Sequence, residues 1–135
     1  NSATVDEWEL SLTSSGHPLF DMIDASSSGS IGRRDATAIG TSDVFLAATY
    51  SGSDARPGNN IWVNAAQVDD TDASSGSYTA MEDTASLVRI GCRYTSNEQF
   101  FNGKIGLVAI VGKELMIEEL WAIKALINGF FDIAL

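Results

Sequence analysis

Val44-Phe45-Leu46-Ala47-Ala48-Thr49-Tyr50, followed after a polar loop by Ile61-Trp62-Val63-Asn64-Ala65-Ala66-Gln67-Val68-Asp69, is the stretch that decides the fold. The first run is apolar and of a length that suits a strand buried on both sides. The loop Ser51–Asn60 that follows carries Arg56-Pro57-Gly58, which is turn chemistry. The second run reads as a hairpin: Ile61 to Asn64, a short connection at Ala65-Ala66, and a return over Gln67 to Asp69. Strand alternation puts Ile61 and Val63 on one face and Trp62 and Asn64 on the other.

The same grammar extends in both directions. Trp8, Leu10 and Leu12 alternate with Glu9 and Ser11, as in a half-buried strand. Ser14 to Pro18 turns the chain, Leu19 to Ile23 returns as a second strand, and Ala25 to Ser30 is a loop of small residues. Ile31 to Ile39 gives a weaker strand before the turn Gly40-Thr41-Ser42-Asp43. Downstream, Asp70 to Tyr78 is a long polar loop, and strands are expected over Ser86–Tyr94 and Phe100–Val111. Strands at such regular spacing imply a sandwich or barrel. One segment breaks the pattern. Met116, Leu120, Ile123 and Ile127 recur at helical spacing, with Glu114, Glu118 and Glu119 near the start and Asn128-Gly129 as a stop. Ile117, Trp121 and Leu126 widen its apolar face, so the helix should be well covered, and Phe130 to Leu135 should add a last strand. No repeat or linker divides residues 1–135, which read as one domain.

Composition narrows the choice of partners. The 135 residues are 44% hydrophobic, enough for a real core, and no apolar run approaches the roughly 20 residues of a membrane span. Eighteen acidic residues against eight basic ones give a formal charge of −10, which repels phosphate backbones and anionic headgroups. Neither nucleic acid nor membrane insertion is therefore expected; the acidity serves solubility or the holding of a divalent cation. Asn1 to Asp6 lack an initiator Met and a signal-peptide pattern, so the chain is expected to be processed or cut from something longer. The single Cys92 has no partner for an internal disulfide. It shares a strand face with Val88 and Ile90, as a small buried hydrophobe would.

Five motifs in order resemble the laminin-G/concanavalin A-like superfamily. Val44 to Ser53 resembles its apolar strand ending in a Tyr-x-Gly turn, and Ile61-Trp62-Val63-Asn64-Ala65 is similar to its hairpin. Leu87-Val88-Arg89-Ile90-Gly91 resembles a strand ending Ile-Gly, and Phe101 to Ile110 resembles its "F-x-G-x-I-D-x-V-x-I" strand. Glu114 to Leu120 is similar to its short "L-S-x-E-E-I" helix. The chain departs from the pattern at Ala65, where Gly is usual, at Gly106, where an acidic residue is usual, and at Met116, where Ser or Thr commonly starts the helix. The resemblance implies an all-β antiparallel sandwich of jelly-roll, concanavalin A-like type with one short C-terminal helix, lacking N-terminal strands of the full domain. A truncated sandwich exposes an apolar face and strand edges, so a homodimer or larger assembly is expected.

The superfamily includes glucanases, whose carboxylates lie in a Glu-x-Asp-x-x-Glu strand. The nearest approach here, Glu7-Trp8-Glu9, lacks the rest of that pattern. His17, in a Gly-His-Pro turn, is the only histidine, so triads and zinc sites lack their parts. No catalytic residues are assigned. Asp69 to Gly76 clusters oxygen ligands, and Asp70 and Asp72 are the candidate calcium residues, although Ser75 and Met81 stand where an EF-hand loop needs Gly and Glu. No other cofactor is expected. For carbohydrate, the candidates are Trp62 as a stacking ring, Asn64 for hydroxyl hydrogen bonds, and Tyr78 at the end of the acidic loop. Trp8 and Trp121 read as core, and Arg33, Arg34, Arg89 and Arg93 as surface charges. The leading expectation is a non-catalytic lectin-like module, extracellular, on a cell surface or in a virion, with a carbohydrate or protein surface as partner. A structural or assembly module is second and a glycoside hydrolase third.

Overall fold

The computed structural model describes residues 7–82, 85–92 and 100–135. Two antiparallel sheets and one C-terminal helix make up its regular structure. The first sheet has the order β1 (Trp8–Leu12), β2 (Pro18–Asp24), β3 (Gly29–Arg34), β7 (Thr71–Asp72). The second has the order β4 (Leu46–Tyr50), β5 (Asn59–Val63), β6 (Ala66–Gln67). The chain thus leaves the first sheet after β3, builds the second, and crosses back between Val68 and Asp70.

Alternation sorts the side chains. Along β2, Pro18, Phe20, Met22 and Asp24 are buried while Leu19, Asp21 and Ile23 are half-buried. Phe20, Met22 and Ile31 from the first sheet meet Ile61 from the second, and Leu10, Leu46, Ala48, Tyr50, Val68 and Tyr78 pack against that cluster. Ile61 is 0% exposed, and full burial of such a side chain is worth about 1.5–3 kcal/mol. Two polar ties also join the sheets. Asn59, wholly buried, donates from Nδ2 to the Ile31 carbonyl at 2.8 Å. Arg33 on β3 pairs with Asp69 at 3.5 Å and donates to its carbonyl.

At the end of β2 a buried carboxylate fastens two loops. Asp24 accepts from Ser26 Oγ at 2.9 Å and Ser27 N at 3.0 Å with one oxygen, and from Thr79 N at 2.9 Å with the other. These donors hold its pKa far below the usual carboxylate range, the Ser27 and Thr79 amides first. The approach is close enough that a Cβ on Gly29 would sit 2.1 Å from the Ser77 carbonyl oxygen.

Several elements differ from expectation. β4 starts at Leu46 rather than Val44, and β3 stops at Arg34 instead of continuing to Ile39. There Asp35 N still bonds the Pro18 carbonyl, but the Asp35 carboxylate then accepts from Thr37 N at 2.7 Å and turns the chain. The expected loop Asp70–Tyr78 contains β7, because Thr71 and Asp72 find ladder partners in Arg34 and Arg33.

The strands expected over Ser86–Tyr94 and Phe100–Val111 are not formed within the described residues. There a single bridge joins Cys92 and Phe100, and Arg93 and Tyr94 lie outside the described residues. The alternation is present in the sequence, but a strand also needs a ladder for its N–H and C=O groups. Leu87, Ile90, Leu107 and Ile110 are exposed, and Cys92 is half-buried rather than buried.

The helix α1 runs Ile117–Phe131, through Gly129, and ends where Asp132 turns left-handed at φ 53. Phe130 and Phe131 therefore belong to the helix, with rings edge to face at 5.0 Å, and not to a last strand. Glu119 Oε2 accepts from Met116 N at 2.9 Å and Glu119 also pairs with Lys113, so a carboxylate closes the N-terminus where the Met116 side chain cannot. The expected cover is missing: Leu120 alone is buried, while Leu126 is 73% exposed. Of the two tryptophans read as core, Trp8 is 38% exposed and Trp121 is 56% exposed.

Candidate functional site

The outward face of the sheet β4–β5–β6 carries a half-buried tryptophan within a network of neutral polar side chains. Register places it. Ala47 pairs with Trp62, Trp62 with Gln67, and Thr49 with Asn60, while Ala48 opposite Ile61 faces the core. Ala47, Thr49, Asn60, Trp62 and Gln67 thus share the side of the sheet away from the apolar cluster. The indole Nε1 donates to Thr49 Oγ1 at 3.2 Å, one diagonal step across the ladder. Asn60 Nδ2 reaches the same hydroxyl at 3.5 Å, and Gln67 Nε2 donates to Asn60 Oδ1 at 2.9 Å. Thr49 is only 6% exposed although it points outward, because Trp62 and Asn60 close over it. The ring itself remains half-buried.

Of the three residues expected to bind carbohydrate, Trp62 alone lies on this face. Asn64 and Ala65 form the two-residue turn between β5 and β6, both left-handed at φ 53 and 63, the type I′ geometry. Asn64 is spent on the turn: its N–H donates to the Phe45 carbonyl at 2.8 Å and its Oδ1 accepts from Phe45 N at 2.9 Å. Tyr78 lies on the core side, where burial and then the adjoining Tyr50 push its phenol above the usual range. The Tyr50 hydroxyl donates to Asp54 at 2.8 Å. Asn60 and Gln67 went unnoticed in the sequence, although the first was within reach: it lies two residues before Trp62 in one strand. Gln67 comes to the face only through the two-residue turn, which fixes its pairing with Trp62.

The acidic candidates are engaged elsewhere. Asp70 Oδ1 accepts from Ala36 N at 2.8 Å and Thr71 Oγ1 at 2.9 Å, and those donors, the Ala36 amide first, hold its carboxyl below its ordinary range. Asp72 belongs to β7, pairs in register with Arg33, and accepts from Ser74 N at 2.9 Å. Hard cations such as calcium take six to eight oxygens. Among the described residues no group of three or more His, Cys, Asp or Glu side chains is placed to hold a metal. Glu9 pairs in register with Asp21 on the side of the first sheet away from the core. Asp21 Oδ1 in turn occupies the space over Gly32, 1.8 Å from where a Cβ would be. None of the described helices is long and apolar enough to cross a membrane.

Comparison with known protein families, with curated proteins and with solved structures gives no match. A functional reading therefore stands on the side chains themselves.

Proposed function

We propose that the chain is a non-catalytic, lectin-like recognition module that binds carbohydrate on the outward face of β4–β5–β6. In this reading its two sheets belong to a jelly-roll sandwich of the concanavalin A/laminin-G type, carried by a larger surface or virion protein. The observation that carries the proposal is Trp62: a half-buried indole, held by Thr49 and flanked by the amides of Asn60 and Gln67. Sugars present apolar C–H faces and polar edges, so a fixed aromatic ring beside amide donors and acceptors meets both. A glycan array probed with folded protein tests it. Saturable binding to one sugar class is expected, with a loss of at least about tenfold in Trp62→Ala, equivalent to about 1.4 kcal/mol. Silence from folded protein sinks the reading.

A second reading, a structural or assembly module, draws on a different observation. Trp121, Leu126 and Phe130 on α1 and Leu107 and Ile110 before it are all exposed, and apolar surface on that scale marks contact with other protein. The two readings are compatible with one another if the assembly is a homo-oligomer that leaves the Trp62 face open.

A further inference from the structure

Resting on the carbohydrate reading, we infer that the Trp62 face takes a neutral sugar and does so without a metal ion. Three features point there. The ladder positions on this face are Ala47, Thr49, Asn60, Trp62 and Gln67, none of which is charged. An anionic sugar, a uronate or a sulfated unit, would find no cation among those five side chains, and desolvating a charge without a partner is costly. A neutral pyranose asks only for an apolar platform and hydrogen bonds.

The platform is fixed before any ligand arrives. The Nε1–Thr49 bond at 3.2 Å lays the indole toward β4 and occupies its polar edge, so the part of the half-buried ring that remains accessible is apolar. The amides are ordered as well. Gln67 gives one N–H to Asn60 Oδ1 at 2.9 Å, so its Oε1 and second N–H are oriented for sugar hydroxyls, and Gln67 is exposed. Preorganisation of this kind lowers the entropic cost of binding.

The metal-independence rests on how Asp70 and Asp72 are engaged. Calcium needs six to eight oxygens, with carboxylates among them to meet its charge. Asp72 lies in β7 of the other sheet and accepts from Ser74 N, while Asp70, which borders one cavity with Gln67, has its Oδ1 taken by Ala36 N and Thr71 Oγ1. Among the described residues no three His, Cys, Asp or Glu side chains gather to hold a metal.

The test is a two-dimensional NMR titration of the full chain, following the indole N–H resonance of Trp62, assigned by its disappearance in Trp62→Phe. Probes are cellotetraose, mannotetraose and galactotetraose as neutral sugars and tetragalacturonate as the anionic one, each run with calcium and again with chelator. The expected result is a saturable shift with at least one neutral probe, the same within about twofold in both buffers. Gln67→Ala, an exposed edge substitution that leaves the fold intact, should weaken that binding about three- to tenfold. A Trp62 shift seen with tetragalacturonate alone, or lost on chelation, overturns this inference while the carbohydrate reading survives. No Trp62 response to any probe, with glycan-array binding retained, overturns the site. No response by either method overturns the carbohydrate reading itself.

Discussion

Asp24 shows how one side chain can govern a loop system. It is 2% exposed, yet its carboxylate is surrounded by donors from residues 26, 27 and 79, so the charge is compensated. The folded-state pKa is depressed well below the unfolded value of about 3.9, so the folded chain binds fewer protons than the unfolded chain in that window. The stabilisation is fully present above the unfolded pKa and is lost as the pH falls through the folded one. Thermal melting of the wild type should therefore decline steadily below about pH 5, whereas Asp24→Asn should melt lower at neutral pH and respond less to acid. Parallel melting curves against pH for the two proteins would refute this role. The Ser26 and Ser27 donors are local, but the Thr79 and Ala80 amides lie 55 and 56 residues away, so the sequence around Asp24 does not mark it as the tie between two loops. Trp62 was different. Alternation alone put it opposite Ile61 and Val63, and the structure agrees; what alternation could not supply was Thr49 and Gln67, which reach the ring through strand pairing.

At the scale of elements, the helix and the existence of the hairpin were legible where local chemistry suffices, but the turn falls at Asn64-Ala65, one residue before the expected Ala65-Ala66, and the return strand is Ala66–Gln67. The β5–β6 turn needs two left-handed residues, and Asn64 tolerates that conformation while its side chain secures Phe45. Asn64→Ala should lose both and cost about 1–2 kcal/mol in urea unfolding, with the slope unchanged. Asn64→Gly keeps the conformation and should cost less; equal losses would mean that backbone strain has no part in the difference. In α1 the apolar periodicity and the helix agree, but Asn128-Gly129 does not stop it. The helix continues to Phe131, since a glycine inside a helix costs only about 1 kcal/mol and Asp132 can take the left-handed cap. A Cβ on Gly129 meets nothing within 4 Å, so Gly129→Ala should stabilise the helix by about 0.5–1 kcal/mol, seen as a higher melting temperature by circular dichroism. The strands expected over Ser86–Tyr94 and Phe100–Val111 do not form within the described residues for a reason that belongs to pairing. Period-two alternation states which face would be apolar if a strand formed, but the ladder partner lies elsewhere in the chain or in another chain.

The whole molecule combines a charge of −10 with broad exposed apolar surface, and these act in opposite directions on association. Charge repulsion between copies is long-range and falls with salt, the Debye length shortening from about 30 Å at 0.01 M to about 8 Å at 0.15 M. Apolar contact is short-range and is not weakened by that screening. If the exposed residues of α1 and the segment before it form the contact, added sodium chloride should drive association; if ion pairs form it, salt should dissolve it. Light scattering at micromolar concentration is therefore expected to give a homodimer or larger species at 0.15 M salt and a smaller mean mass at 0.01 M. Leu126, 73% exposed on α1, offers the matching substitution. Leu126→Glu adds a charge at a surface position, where the effect on folding stays within about 0.5 kcal/mol, and should shift the mass toward the monomer at every salt concentration. A wild type that is monomeric throughout, or an assembly that Leu126→Glu leaves untouched, would remove α1 from the contact and return the exposed strand-like segments as the surface to examine.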